Sequence, residues 1–129
     1  MKSDLPKVMH RLAGAPLIAH ALRAAQEAGS ERSAVVVGPE MEDVGRAVTA
    51  LDPKVQVFVQ AVQLGTADAV MAAREALEDF KGHVLILYGD TPLLRPETIA
   101  SVNGALSDGA DLVVIGFETE NPTGYGRLL

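Results

Sequence analysis

An aspartate stands at the end of an apolar run, where "HVLILYG" is followed by Asp90 in the stretch "YGDTPLL". A carboxylate suits a hard cation such as Mg²⁺, which is commonly held by one or two carboxylates together with substrate phosphates. An aspartate after a strand is also a frequent N-cap of the next helix. The pattern alone supports the two interpretations of Asp90 equally.

Two further stretches contain residues that suit a phosphorylated ligand. In "SDLPKV", Pro6 stiffens the loop ahead of Lys7, whose ammonium can meet a phosphate as a point charge. In "QLGTADAV", Gly65 lets a backbone approach a ligand closely, and Thr66 begins a helix, where amides and a hydroxyl favour an anion or a nucleobase edge. An ordinary surface lysine and a plain Gly-Thr cap are the alternative interpretations.

Other kinds of chemistry have little support. The two glycines that flank Tyr125 in "NPTGYGR" suit either a backbone wall for a ligand or a turn into a strand. His10, His20 and His83 share no metal-ligand spacing. The chain has no G-x-G-x-x-G loop, no Walker loop and no G-x-S-x-G elbow, so dinucleotide-dependent oxidoreduction and serine hydrolysis are not indicated.

Length and charge narrow the class of protein. The 129 residues suit one domain, and the absence of cysteine excludes a disulfide framework or a thiolate metal site. A net charge of -6 argues against a nucleic-acid partner but leaves a small phosphorylated ligand possible. No apolar run reaches membrane-spanning length, and the N-terminus lacks the apolar core of a signal peptide. We therefore expect a cytoplasmic protein with no membrane partner.

Helical and strand periods alternate along the chain. Apolar stripes predict helices over residues 16–28, 41–51, 66–80 and 96–108, with Gly29 and Gly109 just past the ends of the first and last, and strands are predicted at "SAVVVG", "VQVFVQ", "HVLILYG" and "DLVVIGF". This order predicts an α/β, Rossmann-like fold with a mostly parallel sheet and helices on both faces. Ligands of such folds bind outside the carboxyl ends of the strands, where "GPE", "QAVQLGTADA" and "YGDTPLL" would meet. The chain starts with a loop and a helix, so either the fold begins unusually or a strand is missing.

The wording and order of "SDLPKV", "QLGTADAV", "YGDTPLL" and "NPTGYGR" closely resemble the uridylyltransferase domain of the bifunctional bacterial GlmU family, the N-acetylglucosamine-1-phosphate uridylyltransferases. The resemblance covers essentially the whole chain, including "LPKVMHRLAGAPLIAHAL" around the first helix. Relatives that use other sugars or bases have different residues in the same loops.

The resemblance implies a partial nucleotidyltransferase domain over residues 1–129, of the nucleotide-diphospho-sugar transferase type. Its substrates would be UTP and N-acetylglucosamine-1-phosphate, its products pyrophosphate and UDP-N-acetylglucosamine for cell-wall peptidoglycan and lipopolysaccharide, and its cofactor Mg²⁺. The implied roles are phosphate binding by Lys7, uracil and ribose binding by Gln60, Gly65 and Thr66, lining of the site by Tyr88 and Gly89, metal ligation by Asp90, and sugar contact by Gly126. Lys7 and Asp90 would be the catalytic residues.

The sequence also departs from the family pattern at both ends. The family has a strand and a glycine-rich loop, L-A-A-G-x-G-T-R-M, before "SDLPKV", and the resemblance makes Met1 the last residue of that loop. The family's downstream Glu and two Asn, one of them a second metal ligand, are absent from this sequence, as is the β-helical acetyltransferase half through which the family is trimeric. We therefore expect the 129-residue chain alone to be marginally stable, with little or no transferase activity.

Three alternatives remain open from the sequence. One is a non-catalytic nucleotide-sugar-binding fragment, and another is a sister sugar-1-phosphate nucleotidyltransferase. The third is a receiver-like signalling domain with Asp90 as phospho-acceptor, which is the least favoured because that fold needs more acids at its first strand end.

Overall fold

The computed structural model describes residues 5–126. A 3₁₀ turn (Lys7–Met9) leads into a short hairpin of β1 (Arg11–Leu12) and β2 (Ala15–Pro16). There follow α1 (Leu17–Glu27), β3 (Ala34–Val37), α2 (Glu42–Leu51), β4 (Gln56–Val59), α3 (Thr66–Ala72), a second 3₁₀ turn (Arg74–Leu77) and α4 (Pro96–Ser107).

The parallel pair β3–β4 is the structural centre of the described residues. Ala34 lies opposite Gln56 and Val37 opposite Val59. A further hydrogen bond from the Gln60 amide to the carbonyl of Val37, 2.8 Å long, continues the pairing beyond the end of β4. The predicted α/β class with a parallel sheet is confirmed by this pair and by α2, the helix that connects its two strands.

The apolar core lies between this sheet and two helices. Strand side chains alternate between faces, so Val35 and Val37 share one face, and they pack in one cluster with Ile18 and Leu22 of α1 and with Val44, Val48 and Val55. Val48 is 0% exposed, whereas Leu51, which belongs to the same predicted helical stripe, is 51% exposed. The apolar face of α2 therefore extends beyond the core at its last residue, Leu51.

Two of the four predicted strands do not form a β-ladder within residues 5–126. The segments 83–89 and 111–117 belong to no strand or helix, and Ile86, Leu112 and Phe117 are exposed. A strand requires backbone partners as well as apolar, β-branched residues, and neither segment has such a partner in the described part of the chain. The prediction of these two strands is therefore not borne out there.

Two details of the third helix also differ from the sequence prediction. The N-cap of α3 is Gly65 and no side chain caps it, so Thr66 is the first residue of the helix and its hydroxyl makes no capping hydrogen bond. The predicted helix over residues 66–80 stops at Ala72 and is followed by the 3₁₀ turn Arg74–Leu77.

None of the helices among residues 5–126 is long and apolar enough to cross a membrane.

Candidate functional site

Lys7 and Asp90 form an ion pair although 83 positions separate them in the sequence. Pro6 holds the 3₁₀ turn that presents Lys7, and its carbonyl accepts a hydrogen bond from the amide of Met9. Lys7 Nζ donates to Asp90 Oδ2 at 2.7 Å. The Lys7 side chain is 76% exposed and that of Asp90 31%, so an incoming ligand can reach both groups.

A turn fixes the backbone around Asp90. The amide and the hydroxyl of Thr91 both donate to the carbonyl oxygen of Tyr88, at 3.2 and 2.9 Å. This turn ends the segment 83–89 and presents the carboxylate toward Lys7. Asp90 therefore serves neither as an N-cap of α4, whose N-cap is Arg95, nor as a free surface acid.

Gly89 lies against the first helix. A Cβ atom at this position would stand 2.9 Å from Ile18 Cδ1 and 3.2 Å from Val8 Cγ1, both shorter than ordinary van der Waals contact. Glycine is therefore required here for packing, which holds the Asp90 turn against α1 and the Lys7 turn.

A second group of residues surrounds Gln60, immediately after β4. Its side-chain amide nitrogen donates to the carbonyl oxygen of Gly65 at 3.1 Å and to Asp68 Oδ2 at 2.7 Å. Gln60 and Asp68 are both half-buried. Asp68 is not among the site residues predicted from the sequence. An acid in the first turn of a helix is common because it complements the helix dipole, so no distinct signal in the sequence indicates this contact.

The loop before α3 depends on Gly65, which has φ +117° and ψ −177°, a conformation open essentially to glycine alone. Thr66 follows as the first residue of α3, and its hydroxyl lies 3.3 Å from that of Tyr88. Tyr88 is 58% exposed and lies two residues before Asp90. Tyr88 thus connects the group around Gln60 with the Lys7–Asp90 pair.

Seven of the eight residues predicted for the site are joined in this way by contacts or by immediate neighbours in the chain: Lys7, Gln60, Gly65, Thr66, Tyr88, Gly89 and Asp90. The eighth, Gly126, follows a turn in which Tyr125 packs edge-to-face on Phe117, with ring centroids 4.9 Å apart. Within residues 5–126 no hydrogen bond joins Gly126 to the other seven.

Asp90 is the predicted ligand for a metal ion. Among residues 5–126 no group of three or more His, Cys, Asp or Glu side chains could hold one. Asp90 Oδ1 accepts no hydrogen bond within these residues, and the carboxylate is partly open to solvent. A single open carboxylate fits Mg²⁺, which takes its remaining ligands from phosphates and water.

A cavity of about 690 Å³ lies elsewhere, between α2 and the face of β4. It is lined mainly by apolar residues such as Met41, Val57 and Val59, and none of the predicted site residues contributes to it. The candidate site is therefore separate from this cavity.

Comparison with known proteins identifies the family. The whole chain, residues 1–129, matches the family model of the MobA-like NTP transferase domain. The chain belongs to this family. It is 54% identical to the bifunctional protein GlmU of Azorhizobium caulinodans, 51% to that of Xanthobacter autotrophicus and 47% to that of Parvibaculum lavamentivorans. Each match covers all of this chain and 28–29% of the relative.

The identity to GlmU proteins confirms the predicted resemblance to them. The match to the NTP transferase model confirms the predicted membership of a nucleotidyltransferase family. The chain spans less than a third of the length of these relatives. The activity, substrates and partners of the whole protein, and the roles of single residues, are therefore taken up as proposals.

Proposed function

We propose that this chain is the nucleotide-binding part of a UTP:N-acetylglucosamine-1-phosphate uridylyltransferase. The observation that carries the proposal is the Lys7–Asp90 ion pair, which lies two residues from Tyr88 and thus next to the group around Gln60 and Thr66. A site for a nucleoside triphosphate needs such a neighbourhood, in which charged groups for the phosphates adjoin polar groups for the base and ribose. Membership of the NTP transferase family and the identity to GlmU proteins support the same conclusion.

The reaction exchanges one bond at phosphorus. An oxygen of the sugar-1-phosphate attacks the α-phosphorus of UTP, the bond from that phosphorus to the bridging oxygen of pyrophosphate breaks, and pyrophosphate leaves. Such a transfer needs positioning and charge neutralisation more than a covalent nucleophile. A site with one lysine and one carboxylate but no activated serine or cysteine is consistent with that need.

Each residue has a proposed task. Lys7 neutralises phosphate oxygens of the nucleotide, and Asp90 holds Mg²⁺, which supplies further charge neutralisation when bound. Gln60, Gly65 and Thr66 hold the uracil and the ribose, Tyr88 and Gly89 form the wall beside them, and Gly126 contacts the sugar. Because Lys7 and Asp90 pair with each other at 2.7 Å, ligand binding must exchange this contact for contacts to the phosphates and the metal.

The family context suggests where the product goes. UDP-N-acetylglucosamine would serve the synthesis of cell-wall precursors, and we propose that the protein acts in the cytoplasm, where UTP is available. The trimer expected from the resemblance would be made by parts of the protein outside this chain.

The test is a pyrophosphate-release assay on the complete gene product with UTP and N-acetylglucosamine-1-phosphate. Lys7→Ala and Asp90→Asn should each lower kcat/KM on the order of 100-fold, because the first removes a positive charge that neutralises the phosphates and the second removes the carboxylate that would hold Mg²⁺. The exposed ion pair of Asp43 and Arg46, on α2, provides matched controls. Asp43→Asn and Arg46→Ala should change kcat/KM by less than about twofold, since a surface pair contributes little.

Two results would contradict the proposal. One is unchanged turnover in the Lys7 and Asp90 variants, which would remove both residues from the site. The other is binding of UDP-N-acetylglucosamine without turnover by the complete protein, which would favour a non-catalytic binding module. Replacing UTP by other nucleoside triphosphates, and the sugar phosphate by others, distinguishes the proposed enzyme from a sister transferase.

A further inference from the structure

The side-chain amide of Gln60 is held between two groups that can only accept hydrogen bonds. One is the carbonyl oxygen of Gly65, at 3.1 Å, and the other is the Asp68 carboxylate, at 2.7 Å. The oxygen of an amide would be repelled by both, so the atom that faces them must be the nitrogen. The orientation of this amide therefore follows from the chemistry of its partners.

This orientation determines what Gln60 offers to a ligand. With both N–H groups engaged, the oxygen Oε1 is the remaining polar atom of the amide, and it accepts no hydrogen bond within residues 5–126. An amide oxygen is an acceptor only. Gln60 thus presents an acceptor, and its donors are already used inside the protein.

We propose that Asp68 is a positioning residue that determines base specificity, because it fixes Gln60 with its acceptor toward the nucleobase. This inference rests on the proposed function, in which Gln60 meets the uracil. Uracil has an N–H donor at ring position 3, whereas cytosine has an acceptor there. The fixed acceptor therefore favours a uridine nucleotide and disfavours a cytidine nucleotide, which would place two acceptors face to face.

The geometry distinguishes this positioning role from simple stabilisation of the helix dipole. Asp68 lies in the first turn of α3, where any carboxylate stabilises the helix through its dipole. A residue needed only for the dipole could point into solvent. Instead Asp68 is half-buried and makes the shorter of the two hydrogen bonds to Gln60.

The experiment compares the dissociation constants of UTP and CTP, measured by calorimetry on the complete gene product. Asp68→Asn keeps the size of the side chain but can donate as well as accept, so it no longer forces the amide of Gln60 into one orientation. Asp68→Ala removes the contact. Both variants should reduce the preference for UTP over CTP on the order of tenfold, the value of about one hydrogen bond.

Asp68→Glu is the conservative control, because its carboxylate remains acceptor-only and should keep most of the preference. If the role of Asp68 is purely structural, its substitutions would weaken UTP and CTP binding by the same factor and leave the ratio unchanged. That result would overturn the inference about Asp68 but not the proposed function. A wild-type protein with no preference for UTP would overturn the proposed function together with it. If Asp68→Ala does not fold, Asp68→Asn supplies the same ratio.

Discussion

Lys7 and Asp90 change each other's chemistry by standing 2.7 Å apart. The hydrogen bond to the Asp90 carboxylate, and the attraction between the two charges, raise the pKa of the Lys7 ammonium above its ordinary value of 10.5. Since the pKa is higher in the folded protein, the contribution of the pair is fully present below pH 10.5. It is lost as the pH rises through the raised value.

At the residue scale we therefore predict that Asp90→Asn moves the pKa of Lys7 back toward 10.5, because the charged acceptor is gone. The measurement is an NMR titration of the Lys7 side chain between pH 9 and pH 12. Asp43→Asn, which removes a carboxylate from the ion pair on α2, is the control and should leave the titration of Lys7 unchanged. Identical curves for wild type and Asp90→Asn would show that the pair does not form in solution.

The residue types of the site could be read from the sequence, but their contacts could not. Lys7, Gly65, Thr66 and Asp90 were singled out because charge, glycine and a loop position are local features of the chain. That Lys7 meets Asp90 depends on how a turn packs across the domain, which no local pattern encodes. The contact of Asp68 with Gln60 likewise depends on how the loop between β4 and α3 folds, which no local pattern encodes.

At the scale of elements, Gly89 connects the Asp90 turn with α1. We predict that Gly89→Ala destabilises the protein by about 1–3 kcal/mol, because the new methyl group would press on Ile18 and on the stiff, β-branched Val8. The same displacement should shift Asp90 and weaken its contact with Lys7. The free energy of unfolding, measured by urea denaturation, and the pKa of Lys7 report the two effects.

The control for this prediction lies in α4. A Cβ at Gly104 would meet nothing within 4 Å, so Gly104→Ala should stabilise the helix by about 0.5–1 kcal/mol. If both substitutions had the same effect, the packing explanation for Gly89 would be wrong.

Helices were predicted more accurately than strands, and the reason is physical. The helices at residues 17–27, 42–51 and 96–107 follow from apolar spacing and from local signals such as Pro96 at the first position of α4. A strand exists only with its hydrogen-bonded neighbour. The runs at 34–37 and 56–59 pair with each other as parallel strands. Those at 83–89 and 111–117 are also apolar and contain β-branched residues but have no ladder partner within the described residues.

At the scale of the whole molecule, the two apolar segments at 83–89 and 111–117 leave large side chains on the surface. Leu112 is 79% exposed, Phe117 66% and Ile86 55%. Backbone groups without a protein partner must be solvated by water, and apolar side chains on the surface contribute little to stability. This exposure agrees with the expectation that the 129-residue chain alone is marginally stable.

The prediction at this scale concerns hydrogen exchange in the isolated 129-residue chain. Amides of residues 84–88 should exchange much faster than those of β3 and β4, whose pairing protects them. In the complete gene product the same amides should be slower if other parts of the protein cover them. Equal protection of 84–88 and β3 in the isolated chain would contradict the prediction of marginal stability.

The carbonyl oxygen of Gly65 accepts two hydrogen bonds. One comes from the amide of Ala69 and forms the first turn of α3, and the other comes from the side chain of Gln60. Two separate tasks thus share a single atom. A mutation that remodels the start of α3 also turns Gln60, so we expect descendants of this protein to change these positions jointly, as one inherited unit.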